Sequence, residues 1–242
     1  MTLVLHCLYT MVHHKTVLAP EHLRFAVLAS DTVLFTIHNN ELLVRVVSVN
    51  RPPNYKEYVG FTGGLLKPDE TAEQSAIRLI KEKGGIDSKK IYFEQLFTFS
   101  EIERDPRGRV VAVAYLALVP WEKLSIDEQG NTPFSWWIPV THKPKFAYDH
   151  KDMLQIALRR LRSRITYTTL ISKLLPAEFT LTELEKAYAS ILSANLDKRN
   201  FRKKILSLKI ITPLRRKKRS GAFRPAQLYT FKDKNVKEIE IF

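Results

Sequence analysis

The chain has 242 residues, 45% hydrophobic and 26% charged, with 39 Lys and Arg against 25 Asp and Glu. Its length and apolar fraction suit one large or two modest cores, and eight glycines and twelve prolines without any low-complexity tract exclude a fibrous or disordered chain. The single cysteine, Cys7, excludes an intramolecular disulfide and points to a reducing, cytoplasmic setting. No apolar run reaches the ~18 residues needed to cross a membrane, and Met1 to Met11 reads poorly as a signal peptide because it lacks a basic leader.

Charge is unevenly placed. Residues 1–150 hold 17 basic and 17 acidic side chains, whereas residues 151–242 hold 22 basic and 8 acidic ones, which is the whole excess of +14. A neutral body joined to a strongly basic segment suits a polyanion binder, because each neutralised phosphate releases condensed counterions.

In chain order, Val33 to Ile37 and Leu42 to Val49 read as strands around a turn at His38-Asn39-Asn40-Glu41. Arg51-Pro52-Pro53-Asn54 must be loop, since proline suits neither ladder nor helix there. Glu70 to Lys83 places Ala72, Ala76, Ile77 and Ile80 at helical spacing, and Gly84-Gly85 ends that helix. Ile91 to Phe99 and Val110 to Val119 read as strands joined through an Asp105-Pro106-Arg107-Gly108 turn. A loop–helix unit embedded between strands predicts a mixed α/β sandwich. Trp136-Trp137-Ile138-Pro139 is either a core corner or an aromatic wall for a base.

Gly64-Leu65-Leu66-Lys67-Pro68-Asp69-Glu70, followed by Arg78-Leu79-Ile80-Lys81-Glu82-Lys83-Gly84-Gly85-Ile86, resembles the Nudix box. Gly64, Glu70, Arg78, Ile80, Glu82, Gly85 and Ile86 fit its pattern; Leu79 and Lys83 depart from it. Positions 79, 82 and 83 share one helical face. In active Nudix hydrolases that face offers carboxylates to divalent cations, usually Mg²⁺. Here it holds Leu, Glu and Lys, so the cluster carries no net charge and metal-assisted hydrolysis is not expected. Lys83 reads either as a phosphate counter-charge in place of the metal or as an exposed lysine favoured by the helix dipole.

From Asp149-His150 a helical pattern runs through Arg164 with Met153, Ile156, Ala157, Leu161 and Ile165 as its stripe. Asp149 reads as its cap, and the helix can tether a second module or belong to either core. A further helix is predicted to end near Leu175-Pro176. Thr180 or Thr182 caps the next, through Ile191, and Asp197 caps a third that runs to Leu208. Two strands follow, Ile210 to Leu214 and Ala226 to Phe231, around the basic tip Arg215-Arg216-Lys217-Lys218-Arg219-Ser220-Gly221. Three helices with a basic third, then a hairpin, is the order of a winged helix-turn-helix.

Leu196 to Lys204 and Arg224 to Phe231, with Asp105 to Arg109 and Phe146 to His150, resemble the Nudix-related transcriptional regulators over about residues 22–232. The resemblance implies an α+β chain: an amino-terminal tail (1–20), a Nudix-like α/β/α sandwich that binds an effector (21–148), a linker helix (149–165) and a winged helix-turn-helix (166–242). It implies a homodimeric regulator of NAD or sugar metabolism, repressor or activator and here read as a repressor, that binds double-stranded operator DNA and responds to ADP-ribose or a related nucleotide-sugar; Leu79 and Lys83 add the expectation of no cofactor, metal or catalytic residue. Expected effector contacts are Arg51, Gly63, Gly64, Glu70, Arg78, Glu82, Lys83, Arg107 and Arg109, the three loop arginines on position alone. Expected DNA contacts are Lys198, Arg199, Asn200, Arg202 and Lys203 on the third helix, and Arg215, Arg216, Lys217, Lys218, Arg219 and Arg224 around the tip. Two rival readings are an active Nudix pyrophosphatase with an accessory nucleic-acid module and an RNA-binding protein on an inert Nudix fold. Seven histidines show no zinc spacing, and no nucleophile–base arrangement is present.

Overall fold

The computed structural model describes residues 26–219 and 225–239. Cys7, the expected tail 1–20, the Ser220-Gly221 turn and Arg224 lie outside the described residues. Strand β1 (Val27–His38) turns into β2 (Glu41–Arg51), with Asn39 and Asn40 both at positive φ, as expected of that turn. β3 (Tyr55–Gly60), β4 (Thr62–Leu65), helix α1 (Ala72–Gly84), β5 (Tyr92–Phe99), β6 (Val110–Leu118), the single turn α2 (Ile126–Gln129) and β7 (Ser135–Pro139) complete the first half. The sheet has seven strands in the order β3-β2-β1-β6-β5, with β4 paired to β1 and β7 to β2. β1 and β6 run parallel at its centre, where Val33, Leu34, Phe35, Ala112 and Ala114 to Leu118 are buried on both faces.

Three short strands of this half were not predicted. β3 and β4 flank Phe61, and β4 contains Gly63-Gly64, whose missing side chains hide any alternation. β7 is the Trp136-Trp137-Ile138-Pro139 stretch, antiparallel to β2 from Leu43 to Val47. Trp137 is buried and its indole N–H donates to Glu128 O, so this pair belongs to the core.

Helix α1 starts one residue after Thr71, which forms a capping box with Gln74, and ends at Gly85 with φ 70°. That left-handed residue lets the Gly85 and Ile86 N–H groups fold back onto Lys81 O and Ile80 O. Arg45, fully buried on β2, then fixes the end: its Nε donates to Gly84 O and Nη1 to Gly130 O. Burial brings its pKa down to about 10 against the charge of Glu128, and its guanidinium lies 5.3 Å from the Trp137 ring centre.

The second half begins with α3 (His150–Tyr167), whose Met153, Ala157, Leu161 and Ile165 stripe is buried. Arg160 donates to Leu96 O and Arg164 pairs with Glu94, both on β5; Arg162 donates to Ile191 O on the next helix. The helix thus belongs to both cores, which form one continuous apolar cluster.

The helix predicted to end near Leu175 is only a 3₁₀ turn, Thr169–Lys173. Extended Thr168 caps it through its hydroxyl, and Thr169 N–H donates to Lys237 O, drawing these residues toward the chain end instead of a helix. Then follow β8 (Phe179–Thr180), α4 (Leu181–Leu192) capped by Thr180, α5 (Lys198–Ser207) capped by Asp197, β9 (Ile211–Lys218) and β10 (Ala226–Phe231). The three strands form a sheet in the order β8-β10-β9.

Candidate functional site

A cavity of about 630 Å³ opens where β1, β2, β4, α1 and the β5–β6 loop converge. Its tightest feature is Gly63, opposite Asp31 in the β1–β4 register. A Cβ there would lie 1.7 Å from Asp31 Oδ1, so only glycine lets that carboxylate cross the strand. Gly60 plays the same part for His150, whose Nδ1 would be 2.7 Å from a Cβ. The Phe61 N–H donates to His150 Nδ1 at 3.0 Å, so the proton of the neutral ring sits on Nε2, 3.6 Å from Asp31 Oδ1.

Arg104, on the β5–β6 loop, is buried and holds Asp149 through two hydrogen bonds of 2.7 Å; it also stands 3.7 Å from Asp31. Burial opposes its charge, but Asp149 and then Asp31 outweigh that and raise its pKa. Asp149 sits at the cap position of α3 without a side-chain cap bond, so its expected capping role gives way to this ion pair. Next to it, Arg107 chelates Asp105, whose pKa falls because that arginine outweighs its burial. The Arg107 guanidinium also lies 5.5 Å from the Tyr148 ring centre, and Tyr148 leans on Tyr55. Tyr148 and the exposed Phe134 give the cavity aromatic faces beside its cations.

The Nudix-box residues divide. Gly63, Gly64, Glu82 and Lys83 line the cavity, as do Arg51 and Arg107. Glu70 and Arg78 do not: Arg78 donates to both Glu70 oxygens at 2.8 and 2.5 Å, and Lys67 N–H donates to Glu70 as well. Arg78 pulls the Glu70 pKa down to about 2, and together they pin the loop to the helix rather than face a ligand. Arg109 points elsewhere, donating to Ser100 O and Glu101 O. The residues missed by the sequence reading are Asp31, Arg104, Asp105, Phe134, Tyr148 and His150. Only the 105–109 and 146–150 stretches carried a signal, and that signal was family likeness.

The would-be metal face does not fit a magnesium ion. Leu79 is buried with its methyl groups against Gly64; Glu82 is tied to Arg78 at 2.9 Å; Lys83 Nζ donates to Gly63 O at 2.5 Å. One engaged carboxylate beside an ammonium group is not the hard-oxygen set that Mg²⁺ requires. Among the described residues no group of three or more His, Cys, Asp and Glu side chains could hold a metal ion. Burial, then the charge of Arg51, lowers the Lys83 pKa.

On the basic half, Phe201 and Ile205 anchor α5, with Phe201 against Tyr188. Lys198, Arg199, Asn200, Arg202 and Lys203 are all exposed, as the periodicity requires, although Arg202 also donates to Thr182 Oγ1. The basic run does not form the tip. Arg215 to Lys218 lie within β9, and alternation sorts them. Arg216 pairs with Glu178 and Lys218 with Glu183, whereas Arg215 and Lys217 point to the opposite side and, like Arg219, make no ion pair among the described residues.

A mixed Nudix sandwich with a disabled metal face, followed by a winged helix with a basic recognition helix, defines a ligand-binding DNA-contacting protein class. A Nudix domain model matches residues 29–155, and the NrtR DNA-binding winged helix domain matches residues 171–231. The chain belongs to this NrtR-like family. It is 35% identical over 205 residues (83% of this chain, 80% of the relative) to the ADPR responsive transcriptional repressor NtrR of Acinetobacter baylyi. The crystal structure of Shewanella oneidensis NrtR complexed with a 27mer DNA superposes with a TM-score of 0.73 at 30% identity, covering 85% of this chain and 93% of that one. The NUDIX domain of the same protein complexed with ADP ribose gives a TM-score of 0.51 at 31% identity, covering 60% of this chain and 94% of that one.

Proposed function

We propose that this chain is a homodimeric transcriptional repressor that binds operator DNA through residues 166–239 and senses ADP-ribose in its Nudix domain without hydrolysing it. The observation that carries the effector assignment is the cavity's composition: Arg51, Lys83, Arg104 and Arg107 around one space that also offers Tyr148 and Phe134. Two linked phosphates need clustered cations, and a purine needs a flat face. Lys83 takes the part that a metal would play, because its ammonium already sits on Gly63 O where the loop meets the helix. A bound effector is therefore held by fixed protein charge and leaves unchanged. His150 and Asp31 form the polar floor on which a ribose hydroxyl can rest.

For DNA, α5 reads base edges with Arg199 and Asn200, while Arg215, Lys217 and Arg219 meet phosphates. Two copies are needed, since one winged helix covers a single half-site. Calorimetry of the full chain in EDTA tests the effector reading. ADP-ribose should bind with one site per chain and be recovered intact. Absence of heat with ADP-ribose, but clear binding of a free pentose, would replace it with a sugar sensor. Sustained metal-dependent turnover would instead establish the pyrophosphatase.

A further inference from the structure

A second cavity, of about 760 Å³, lies between the start of β5 and the base of the hairpin. Six lysines line it. Lys89, Lys90 and Lys123 come from the Nudix side; Lys173, Lys232 and Lys234 come from the 3₁₀ turn and the segment after β10. Asp233 is the one acidic side chain on the wall, and it is engaged by Lys237 at 3.3 Å. Lys90 is paired with Glu128 at 2.6 Å. Lys89, Lys123, Lys232 and Lys234 make no ion pair among the described residues.

The like charges act on one another across the gap. Half-buried Lys173 has its pKa lowered by burial first and by Lys123 next, so a residue of one half feels the charge of the other. Its Nζ donates to Lys234 O at 2.7 Å and lies 5.9 Å from the Tyr92 ring centre. Ser172, on the same wall, has a buried hydroxyl without a hydrogen-bond partner. Tyr92 and Phe231 add aromatic surface. Opposing ammonium groups around a concavity repel each other, and one anion carrying several charges relieves them together. The volume falls in the range of small-molecule pockets, which favour boundaries between structural units.

The position argues against operator DNA as the occupant. Phe231 pairs with Ile211 at the hairpin end opposite Lys218 and Ala226, and Ile211 follows the carboxy-terminal end of α5, remote from Lys198 to Asn200. We propose that this lysine-lined cavity is a second ligand site, distinct from the effector cavity, that takes a nucleoside polyphosphate and ties the Nudix half to the winged-helix half. A ligand gripped from both sides favours one arrangement of the two by its differential affinity, which couples it to DNA binding.

The test titrates the full chain with ATP in EDTA, with and without saturating ADP-ribose, and repeats it for a Lys89→Ser/Lys123→Ser/Lys232→Ser variant. One ATP should bind per chain whether or not ADP-ribose is present. The triple variant should weaken ATP at least tenfold and leave ADP-ribose affinity unchanged. The corresponding triple Arg variant should retain ATP, which separates lost charge from lost folding. Full competition between ATP and ADP-ribose would overturn the proposal, since ATP would then be entering the effector cavity. So would unchanged ATP affinity in the serine variant, or a loss of affinity for duplex DNA alone. Inorganic tripolyphosphate binding as tightly as ATP would remove the nucleoside from the assignment.

Discussion

Replacing Lys83 with Met removes the ammonium but keeps a stem of similar length. A phosphate oxygen about 4 Å from that nitrogen would gain roughly 4 kcal/mol at an effective dielectric of 20. Desolvation of both partners leaves about 1.5–3 kcal/mol for a charge-assisted hydrogen bond. Lys83→Met should therefore weaken ADP-ribose about 10- to 150-fold in EDTA, measured by calorimetry. Fold stability should fall by no more than about 1 kcal/mol, because the ammonium makes a single hydrogen bond, to Gly63 O, which water can replace. Lys83→Glu goes further: it reverses the charge and restores a second carboxylate beside Glu82. Binding should vanish in EDTA and return with Mg²⁺, an ion held by one or two carboxylates plus the ligand's phosphates. An affinity for Lys83→Met within twofold of the parent would refute the claim that this ammonium stands where the metal would.

Gly63→Ala should abolish effector binding and lower the melting temperature, because its methyl group must displace Asp31; adding Asp31→Gly should recover much of the stability, by thermal denaturation. On the DNA side, Arg199→Ala or Asn200→Ala should relax base preference, whereas losing Arg215 and Lys217 together should flatten the salt slope by about two units on every duplex. Losing Arg216 and Lys218, which already pair with Glu178 and Glu183, should change the slope less. Glu128 is buried, yet hydrogen bonds from Lys90, Asp87 N–H and Ser125 N–H outweigh burial and hold its pKa near about 2, below the ordinary 4.5. Its folded pKa being depressed, its stabilisation is complete above about pH 4.5 and is lost as pH falls toward about 2. The magnitude is on the order of 3 kcal/mol. Glu128→Gln should thus flatten the acid limb of a denaturation series, and an unchanged limb would contradict it.

What could be read from the sequence was whatever lies close together along it. The apolar spacing of Ala76 and Ile80 and the Gly84-Gly85 stop specify α1 within one segment, and the Lys83 departure is visible from spacing alone. Asp197 and Phe201 specify α5 in the same way. The polar floor was not legible, because Asp31, Arg104 and His150 come from β1, a loop and α3, and only the sheet brings them together. Arg109 was expected at the cavity because it sits two residues from Arg107 in the same run, yet its guanidinium is drawn back to the carbonyls of Ser100 and Glu101. The basic run at 215–218 suggested a loop by composition, but charge alternating on a strand is compatible with a hairpin whose inner-side cations meet Glu178 and Glu183.

Helix α3 starts at His150, on the wall of the 630 Å³ cavity, and ends at Tyr167, where Ile239 N–H donates to its carbonyl. Eighteen residues at 1.5 Å each make a rod of about 27 Å with no break along it. Pivoting such a rod by about 5° carries its far end through about 2 Å. Arg160 and Arg164 hold it to Leu96 and Glu94, and Phe61 N–H meets it at His150, so a displacement of the Phe61 backbone would be enlarged at the winged-helix end. If two copies pair about a two-fold axis, as proposed, both sweeps would occur together and alter the spacing of the recognition helices. A duplex with a fixed repeat of about 34–36 Å between half-sites tolerates little of that.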